Sequence, residues 1–397
     1  MEQKRVVIWG AGRIGRGLVA DLFHAGGYHI TFVDCASKLV EQLRAAGRYT
    51  VVRLEGAGRR TEQVIDHYVA LTTDQDDEVA AAIVAADVVA VAIFAQDFPA
   101  AGQQLARHAS RRRTERPDAP LDILVCANLL RAGPQFRAAL FDALPLDARP
   151  YVERQIGVVE TVVMRAAVDM PADARDKAPL DVWTDGYTDW PAEQRAFRGD
   201  VPRVPGLRLV DDIYAEGMRK LYVANMFHAA LAYLGALHDH VRIVDALADP
   251  WVRAQAEGAL QEASLALQAE HGFSADDMAD WICKLLTRVD NPALGDTVAR
   301  IGADPRRKLR RSDRLVGPAL LARRHGIRPV NLAGAVAAGL LYVNPSDPGA
   351  VYVQGRIAEL GLRAAARELC ELAEDEDDLL DMILAACHEL RGTASRC

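Results

Sequence analysis

The chain has 397 residues, half of them hydrophobic and 26% charged, with a formal net charge of −8; that length exceeds one ordinary core and predicts two domains. No apolar run approaches the ~20 residues needed to cross a bilayer, and the acidic balance lacks the clustered positive surface that nucleic-acid phosphates require, so neither a membrane protein nor a nucleic-acid binder is expected. The six cysteines (Cys35, Cys126, Cys283, Cys370, Cys387, Cys397) are scattered without a Cys-x-x-Cys pair, and the apolar run before Gly10 is too short for a signal segment; both features predict a cytoplasmic protein with reduced thiols.

Residues 5–9 form a continuous apolar strand, closed by Gly10-Ala11-Gly12-Arg13-Ile14-Gly15, after which Leu18, Val19, Leu22 and Phe23 recur at helical spacing. A second apolar run, residues 29–33, ends in Asp34. In such a strand, glycine turn and helix, the first glycine permits a tight turn and the second lets backbone N–H groups approach a pyrophosphate. The third lets helix pack on strand, and the phosphate sits at the helix N-terminus. An acid at the tip of the second strand accepts from both ribose hydroxyls and repels a 2′-phosphate, so Asp34 favours NAD over NADP. FAD shares the fingerprint, and a glycine turn that only packs is the bland alternative.

Further strands are expected at 87–93 and 121–126, with helices at 76–85 and 98–113 and an inserted hairpin at 49–54 and 63–68. The basic run 111–116 reads as a solvated helix end. By the rule that ligands lie beyond the carboxyl ends of such strands, Asn128 stands where chemistry can occur. After the proline-rich stretch 191–205 the alternation stops, and helical patterns cover 211–237, 250–271, 275–287 and 313–325. The expected fold is an α/β N-terminal Rossmann-type doubly wound sheet over 1–195 plus a mainly α-helical C-terminal domain over 196–397.

The helix at 211–237 carries Lys220, Asn225 and His228. At about 100° per residue, with Lys220 at zero, Glu216 falls near −40°, His228 near 80° and Asn225 near 140°. Polar groups on a helix otherwise rich in Leu, Tyr, Val, Ala and Phe ask for a polar cavity, because burial without partners is costly. A solvated lysine with a hydrogen-bonded core asparagine and histidine fits the same pattern.

The segments Gly10-Ala11-Gly12-Arg13-Ile14-Gly15-Arg16-Gly17, Cys126-Ala127-Asn128-Leu129-Leu130-Arg131, Lys220-x4-Asn225-x2-His228 and Asp296-Thr297-Val298-Ala299-Arg300 resemble the polyol-specific long-chain dehydrogenase/reductase family. So do Asn291-Pro292, Arg307-Lys308-Leu309 and Asp313-Arg314-Leu315, and the similarity runs along nearly the whole chain. The resemblance implies NAD-dependent, metal-independent interconversion of a secondary alcohol and a ketone on a small polyol or sugar-phosphate substrate, by a monomer or small homo-oligomer. It makes Lys220 the general base, Asn128 and Asn225 the donors to the alkoxide and His228 a partner of a substrate hydroxyl, and places Arg300 and Lys308 at the far hydroxyls or anionic group. Lysine suits its role because desolvation lowers its pKa toward neutrality.

Relative to the family pattern, Ala127 stands where Glu is usual, Met164 where Asp precedes the matched Arg165, and Met226 and Phe227 where residues are small. Met218 replaces an acid near the lysine, which Glu216 can supply from the same helical face. Bulk at Met226 and Phe227 is expected to touch substrate, so an altered-specificity enzyme of a biosynthetic pathway is a second reading. A catalytically silent nucleotide sensor is a third. No metal site is expected: His238-Asp239-His240 reads as a solvated turn, since neighbours at a helix end rarely converge. The basic run 306–311 reads as a salt-bridged surface more readily than a phosphate site, and the acidic run 371–378 as an exposed helix start.

Overall fold

The computed structural model describes residues 3–56 and 58–394; Cys397, and Ala57 in the expected hairpin turn, lie outside the described residues. Contacts divide the chain into two units, Met1–Glu216 and Gly217–Cys397. No helix among the described residues is long and apolar enough to cross a membrane.

The first unit contains twelve strands among its described residues: β1 (Arg5–Trp9), β2 (His29–Asp34), β3 (Arg48–Leu54), β4 (Arg60–Asp66), β5 (Val69–Thr72), β6 (Val88–Val91), β7 (Leu121–Val125), β8 (Ile156–Glu160), β9 (Ala167–Val168), β10 (Val182–Thr184), β11 (Trp190–Glu193) and β12 (Leu207–Val210). Six of them form a parallel sheet in the order β5-β2-β1-β6-β7-β8, the doubly wound arrangement expected. Alternate side chains of β1 feed two cores: Val6 and Ile8 join Phe23, Phe32 and Leu124 on one face, and Val7 and Trp9 join Val33, Val89 and Ile123 on the other. Burial on both faces explains why this strand is apolar throughout and does not alternate. The chain order reverses between β1 and β6, so a crevice opens at their carboxyl ends.

The expected hairpin forms, with β3 and β4 antiparallel from Arg48↔Asp66 to Leu54↔Arg60. It belongs to a second sheet, β4-β3-β10-β9. The division between the units falls later than the boundary expected near residue 195. The proline-rich stretch is part of the first unit: Trp190 is buried in its core, and β11 pairs in parallel with β12 from Trp190↔Leu207 to Glu193↔Val210. The basic run 111–116 also departs from a solvated end. Arg111 and Arg113 make surface pairs, but Arg112 is buried and donates to the carbonyls of Ile83, Val84, Ala86 and Pro120 at 2.6–3.0 Å. It thereby satisfies carbonyls that the helix Asp76–Ala85 leaves over at its end.

After the glycine turn the chain enters a π-helical turn, Gly15–Val19, before the α-helix Ala20–Ala25. Two side chains take carbonyls out of the α-helical ladder there: the Tyr49 hydroxyl donates to Arg16 O at 3.1 Å and Arg165 Nη1 donates to Gly17 O at 2.7 Å. Insertion of side-chain donors into a ladder is a physical cause of such local changes in helical register. Arg165 is anchored in turn by Asp21, a fully buried carboxylate that accepts from Arg165 Nη1 at 2.5 Å and from Arg53 at 2.5 and 3.0 Å.

In the second unit the helix Pro250–His271 is capped by Asp249, whose Oδ1 accepts from the backbone N–H groups of Trp251 and Val252, and it ends at Gly272 with φ of 72°. The helix Ala275–Val289 is capped by Ser274. Packed against the first of these is the helix Met226–Ala236, with Tyr233 fully buried and its hydroxyl donating to Gly302 O at 2.9 Å. The acidic run 371–378 is not wholly exposed, because Glu376 is buried and holds Arg311 in a two-pronged pair at 2.6 and 2.7 Å.

Breaking a buried ion pair by neutralising one partner leaves the other charge uncompensated, which costs about 3–5 kcal/mol. Asp21→Asn is therefore expected to destabilise the protein by that order in urea unfolding; a loss below about 1 kcal/mol, the level of an exposed pair, would count against the Asp21 clamp.

Candidate active site

The glycine turn has the geometry its spacing predicts. Gly10 takes φ of 101°, and a Cβ on Gly15 would lie 1.9 Å from Gly10 O and 3.4 Å from an Ile8 methyl, so helix and strand approach as only glycine allows. A Cβ on Gly12 would meet nothing within 4 Å, which leaves space over the turn where a pyrophosphate is expected. Ala11 is buried, Ile14 packs on the core, and Arg13 reaches outward to Asp169 at 2.7 Å. Asp34, at the end of β2, accepts from Ala11 N at 2.7 Å and Ala36 N at 2.8 Å. It therefore braces the turn, and a carboxylate has lone pairs left for a ribose. Beside it lies a cavity of about 400 Å³ lined by Trp9, Gly10, Asp34, Thr73, Ile93 and Arg107. Asn128 stands exposed, three residues past the end of β7.

In the second unit, the helix carrying Lys220 differs from the expected regular α-helix. A π-helical turn, Lys220–Asn225, separates the α-helices Ile213–Arg219 and Met226–Ala236. In an α-helix Asn225 would stand about 140° from Lys220. A π-turn bonds i to i+5 and takes up an extra residue, so Asn225 is turned back toward the Lys220 side of the helix, with His228 three residues further on. Lys220, Leu221, Asn225 and His228 each keep part of their surface open, while Tyr222–Ala224, Met226, Phe227 and Ala229–Gly235 are closed.

That pattern corrects the expectation for Met226 and Phe227. Both are fully buried in the helical core, so they do not form the open wall on which Asn225 and His228 stand. Glu216, expected on the same helical face as Lys220, has a basic partner of its own. Glu216 is buried and accepts from Arg208 at 3.0 Å, an arginine that also clamps Asp189. Burial lowers the Lys220 pKa to about 8, assisted by the charges of Arg288 and Arg314. Burial also lowers His228 to about 3, with Arg288, Arg300 and Arg314 contributing, so its imidazole is neutral around pH 7.

Arg300 pairs with Asp296 one turn earlier, and its helix is capped by Thr297. Lys308 is buried and donates to Ala303 O; burial lowers its pKa to about 8, with Arg314 and Arg307 adding to the effect. Arg288 and Arg314, to which the sequence alone assigns no role, act on Lys220 and His228 through their charge. Arg314 lies within the family-like segment Asp313-Arg314-Leu315, whereas Arg288 belongs to no such segment. Arg314 is held at Nε by Asp313 at 2.8 Å, and its charge reaches Lys220, His228 and Lys308 alike.

His238 and His240 also depart from a solvated turn: they converge, not on each other but on Asp249, at 2.9 and 3.0 Å. Asp249 is 11 and 9 residues further along the chain, at the start of the next long helix.

Residues 4–206 match the mannitol dehydrogenase Rossmann domain and residues 212–374 the mannitol dehydrogenase C-terminal domain. The chain belongs to the mannitol dehydrogenase family. It is an oxidoreductase of that family, 33% identical over 389 residues, 98% of each chain, to the mannitol-1-phosphate 5-dehydrogenase of Thermoanaerobacter pseudethanolicus. Two solved structures share the fold at 17% identity. A D-sorbitol dehydrogenase in substrate-free form matches with a TM-score of 0.83, over 99% of this chain and 94% of the other. The mannitol 2-dehydrogenase of Pseudomonas fluorescens, in a ternary complex with NAD and D-mannitol, matches with 0.75, over 99% and 92%.

Because the folded protein holds Lys220 below its unfolded value, the charged lysine destabilises the fold fully below about pH 8, and the penalty fades as pH rises toward about 10.5. Lys220→Met is accordingly expected to raise the melting temperature near neutral pH, by up to about 3 kcal/mol of added stability, with the gain shrinking on the alkaline side. A variant less stable than wild type at neutral pH would contradict a desolvated lysine.

Proposed function

We propose that the chain is an NAD-dependent, metal-independent dehydrogenase that interconverts a secondary alcohol and a ketone on a sugar-alcohol phosphate, working in the cytoplasm as a monomer or small homo-oligomer. The observation that carries this reading is a lysine whose pKa is drawn down to about 8, at the start of a π-helical turn that ends at Asn225 and runs into the helix bearing His228. NAD, when bound, supplies the acceptor for the substrate hydride; Gly10, Ala11, Gly12, Arg13, Ile14 and Gly15 hold its pyrophosphate and Asp34 its adenosine ribose. The open space over Gly12 and the cavity beside Asp34 support that fit.

In the oxidation direction Lys220 Nζ takes the hydroxyl proton as the carbon gives up hydride, and in reduction it returns that proton to the ketone oxygen. A pKa of about 8 lets one group serve both directions near neutral pH. Asn225 donates to the oxygen while it carries negative charge, and the family resemblance gives Asn128 the same task; a neutral amide is a preorganised donor for such charge. His228, held neutral, hydrogen-bonds a neighbouring hydroxyl without adding a competing charge.

A phosphate on the substrate is favoured by the cations assembled around these groups. Arg288, Arg300 and Arg314 all act on His228, and Lys308 lies within reach of Arg314. Guanidinium groups bind phosphate oxygens in pairs. We assign Arg314, with Arg300 and Lys308, to the anionic end of the substrate. The likeness to a mannitol-1-phosphate 5-dehydrogenase over nearly the whole chain supports the same substrate class. The altered-specificity reading loses its main support with Met226 and Phe227 turned into the core, and a silent sensor would have no need of a desolvated lysine.

NADH absorbance with mannitol 1-phosphate and free mannitol side by side tests the proposal. Turnover is expected for the phosphate ester and little for the free polyol. Oxidation should rise with pH to a plateau above about 8, the pH at which Lys220 loses its proton, and Lys220→Ala should lose about 10²–10⁴-fold in kcat. Equal use of both polyols would remove the phosphate assignment; retained turnover in Lys220→Ala would remove the base. A separate titration addresses the cofactor: NAD should bind far more tightly than NADP, and Asp34→Ala should narrow the difference, whereas equal affinity in wild type would exclude the assigned role of Asp34.

A further inference from the structure

Just past the lysine helix the chain turns at Asp239, which has φ of 57°. The turn brings two rings onto one atom: His238 Nδ1 lies 2.9 Å and His240 Nε2 3.0 Å from Oδ2 of Asp249. The three ligand atoms lie within 4.8 Å of one another, and each side chain keeps between 18 and 28% of its surface open. Surrounding groups fix the orientation. Asp249 Oδ1 accepts from Trp251 N at 2.8 Å and Val252 N at 3.1 Å, and the His238 ring stacks on Trp251 at 4.6 Å and 16°. Outer contacts of this kind, which here hold both rings on the carboxylate oxygen, are how proteins aim metal ligands.

We propose that His238, His240 and Asp249 form a binding site for a divalent transition metal of the zinc class, with water in the remaining positions. Zinc bonds of roughly 2.0–2.2 Å at tetrahedral angles separate ligand atoms by about 3.3 Å, so the two histidine-to-carboxylate contacts have to open by only a few tenths of an ångström. Without metal each ring donates an N–H to Oδ2. On binding, the proton of each ring passes to its other nitrogen, and the bared nitrogen joins the metal as neutral imidazole. Two imidazoles and one carboxylate suit zinc, nickel or copper better than magnesium or calcium, which favour all-oxygen sets.

This site is separate from the proposed chemistry and does not rest on it. His238 is ten residues beyond His228, roughly 15 Å along a helix at ~1.5 Å per residue. The segment after His240 is joined to the one that precedes Arg300: Arg242 bridges Thr297, Ile243 N donates to Asp296 O at 3.0 Å, and Val298 N donates to Val241 O at 2.9 Å. A metal here ties the start of the helix Pro250–His271 to that paired segment, a bracing role in which the metal touches no reacting atom.

The test uses the full-length chain freed of metal by a chelator and titrated with zinc chloride, read by calorimetry and by melting temperature. Wild type is expected to bind one zinc at this site and to melt higher in its presence; His238→Gln/His240→Gln should bind at least ~10-fold more weakly, a loss of about 1.4 kcal/mol, and show no zinc-dependent rise. His240→Gln, which keeps the ring stack on Trp251, is read in the same way if the double variant does not fold. Cobalt in place of zinc should give a spectrum without a thiolate charge-transfer band, which separates the site from the exposed thiols Cys35 and Cys283. Zinc binding that is unchanged in both variants, a melting temperature indifferent to zinc in wild type, or a thiolate band would each overturn the proposal.

Discussion

A half-buried ammonium group in the field of two arginines is the constraint on which the second unit depends. Lys220 sits on a helix that is otherwise closed on every residue from Met226 to Gly235 except His228, and a helix apolar around its whole circumference must be surrounded. Burial alone would make the charged lysine unfavourable, and Arg288 and Arg314 add like charge. The group therefore spends more of its time neutral than a surface lysine does, which is the state a base requires. A bound anion would offset the same arginines, so the features that let the lysine lose its proton at moderate pH also make the surroundings receptive to a phosphate.

The first unit solves a related problem, how to hold a backbone turn open for a ligand. Gly10 and Gly15 let strand and helix approach, but their freedom has to be removed again if the turn is to be preorganised. Asp34 removes it from one side by accepting from Ala11 N. From the other side the buried Asp21 positions Arg165, which with Tyr49 draws carbonyls of the following turn into a π-helical register. Both units thus carry a π-turn at their candidate site, and in each the extra residue per turn redirects groups that a regular helix would point elsewhere.

Much of this was legible from local spacing. The strand, glycine turn and helix, the acid at the tip of the second strand, the parallel strands at 88–91 and 121–125 and the hairpin all depend on neighbours close in sequence, and each is observed. Lys220, Asn225 and His228 could be picked out as polar residues in an apolar helix, but their mutual angles could not. The π-turn depends on packing around the helix, and no residue type within 220–225 announces it. Arg112 and Glu376 were misread for the same reason: a charged residue in a charged run looks solvated until a set of carbonyls, or Arg311, is folded against it.

What the sequence determined by itself is the alternation that builds a doubly wound sheet, the helical second half, and the residue types from which binding and catalysis are built. These follow from periods of two and 3.6 residues and from turn chemistry, which act over a few positions. Only the tertiary structure decided which side chains share a wall. It turned Met226 and Phe227 into the core, brought Arg314 to Lys220 and His228, and closed His238 and His240 on Asp249. Burial and Coulomb fields are set by everything that surrounds a group in space, and the residues responsible here lie from about ten to more than ninety positions away along the chain.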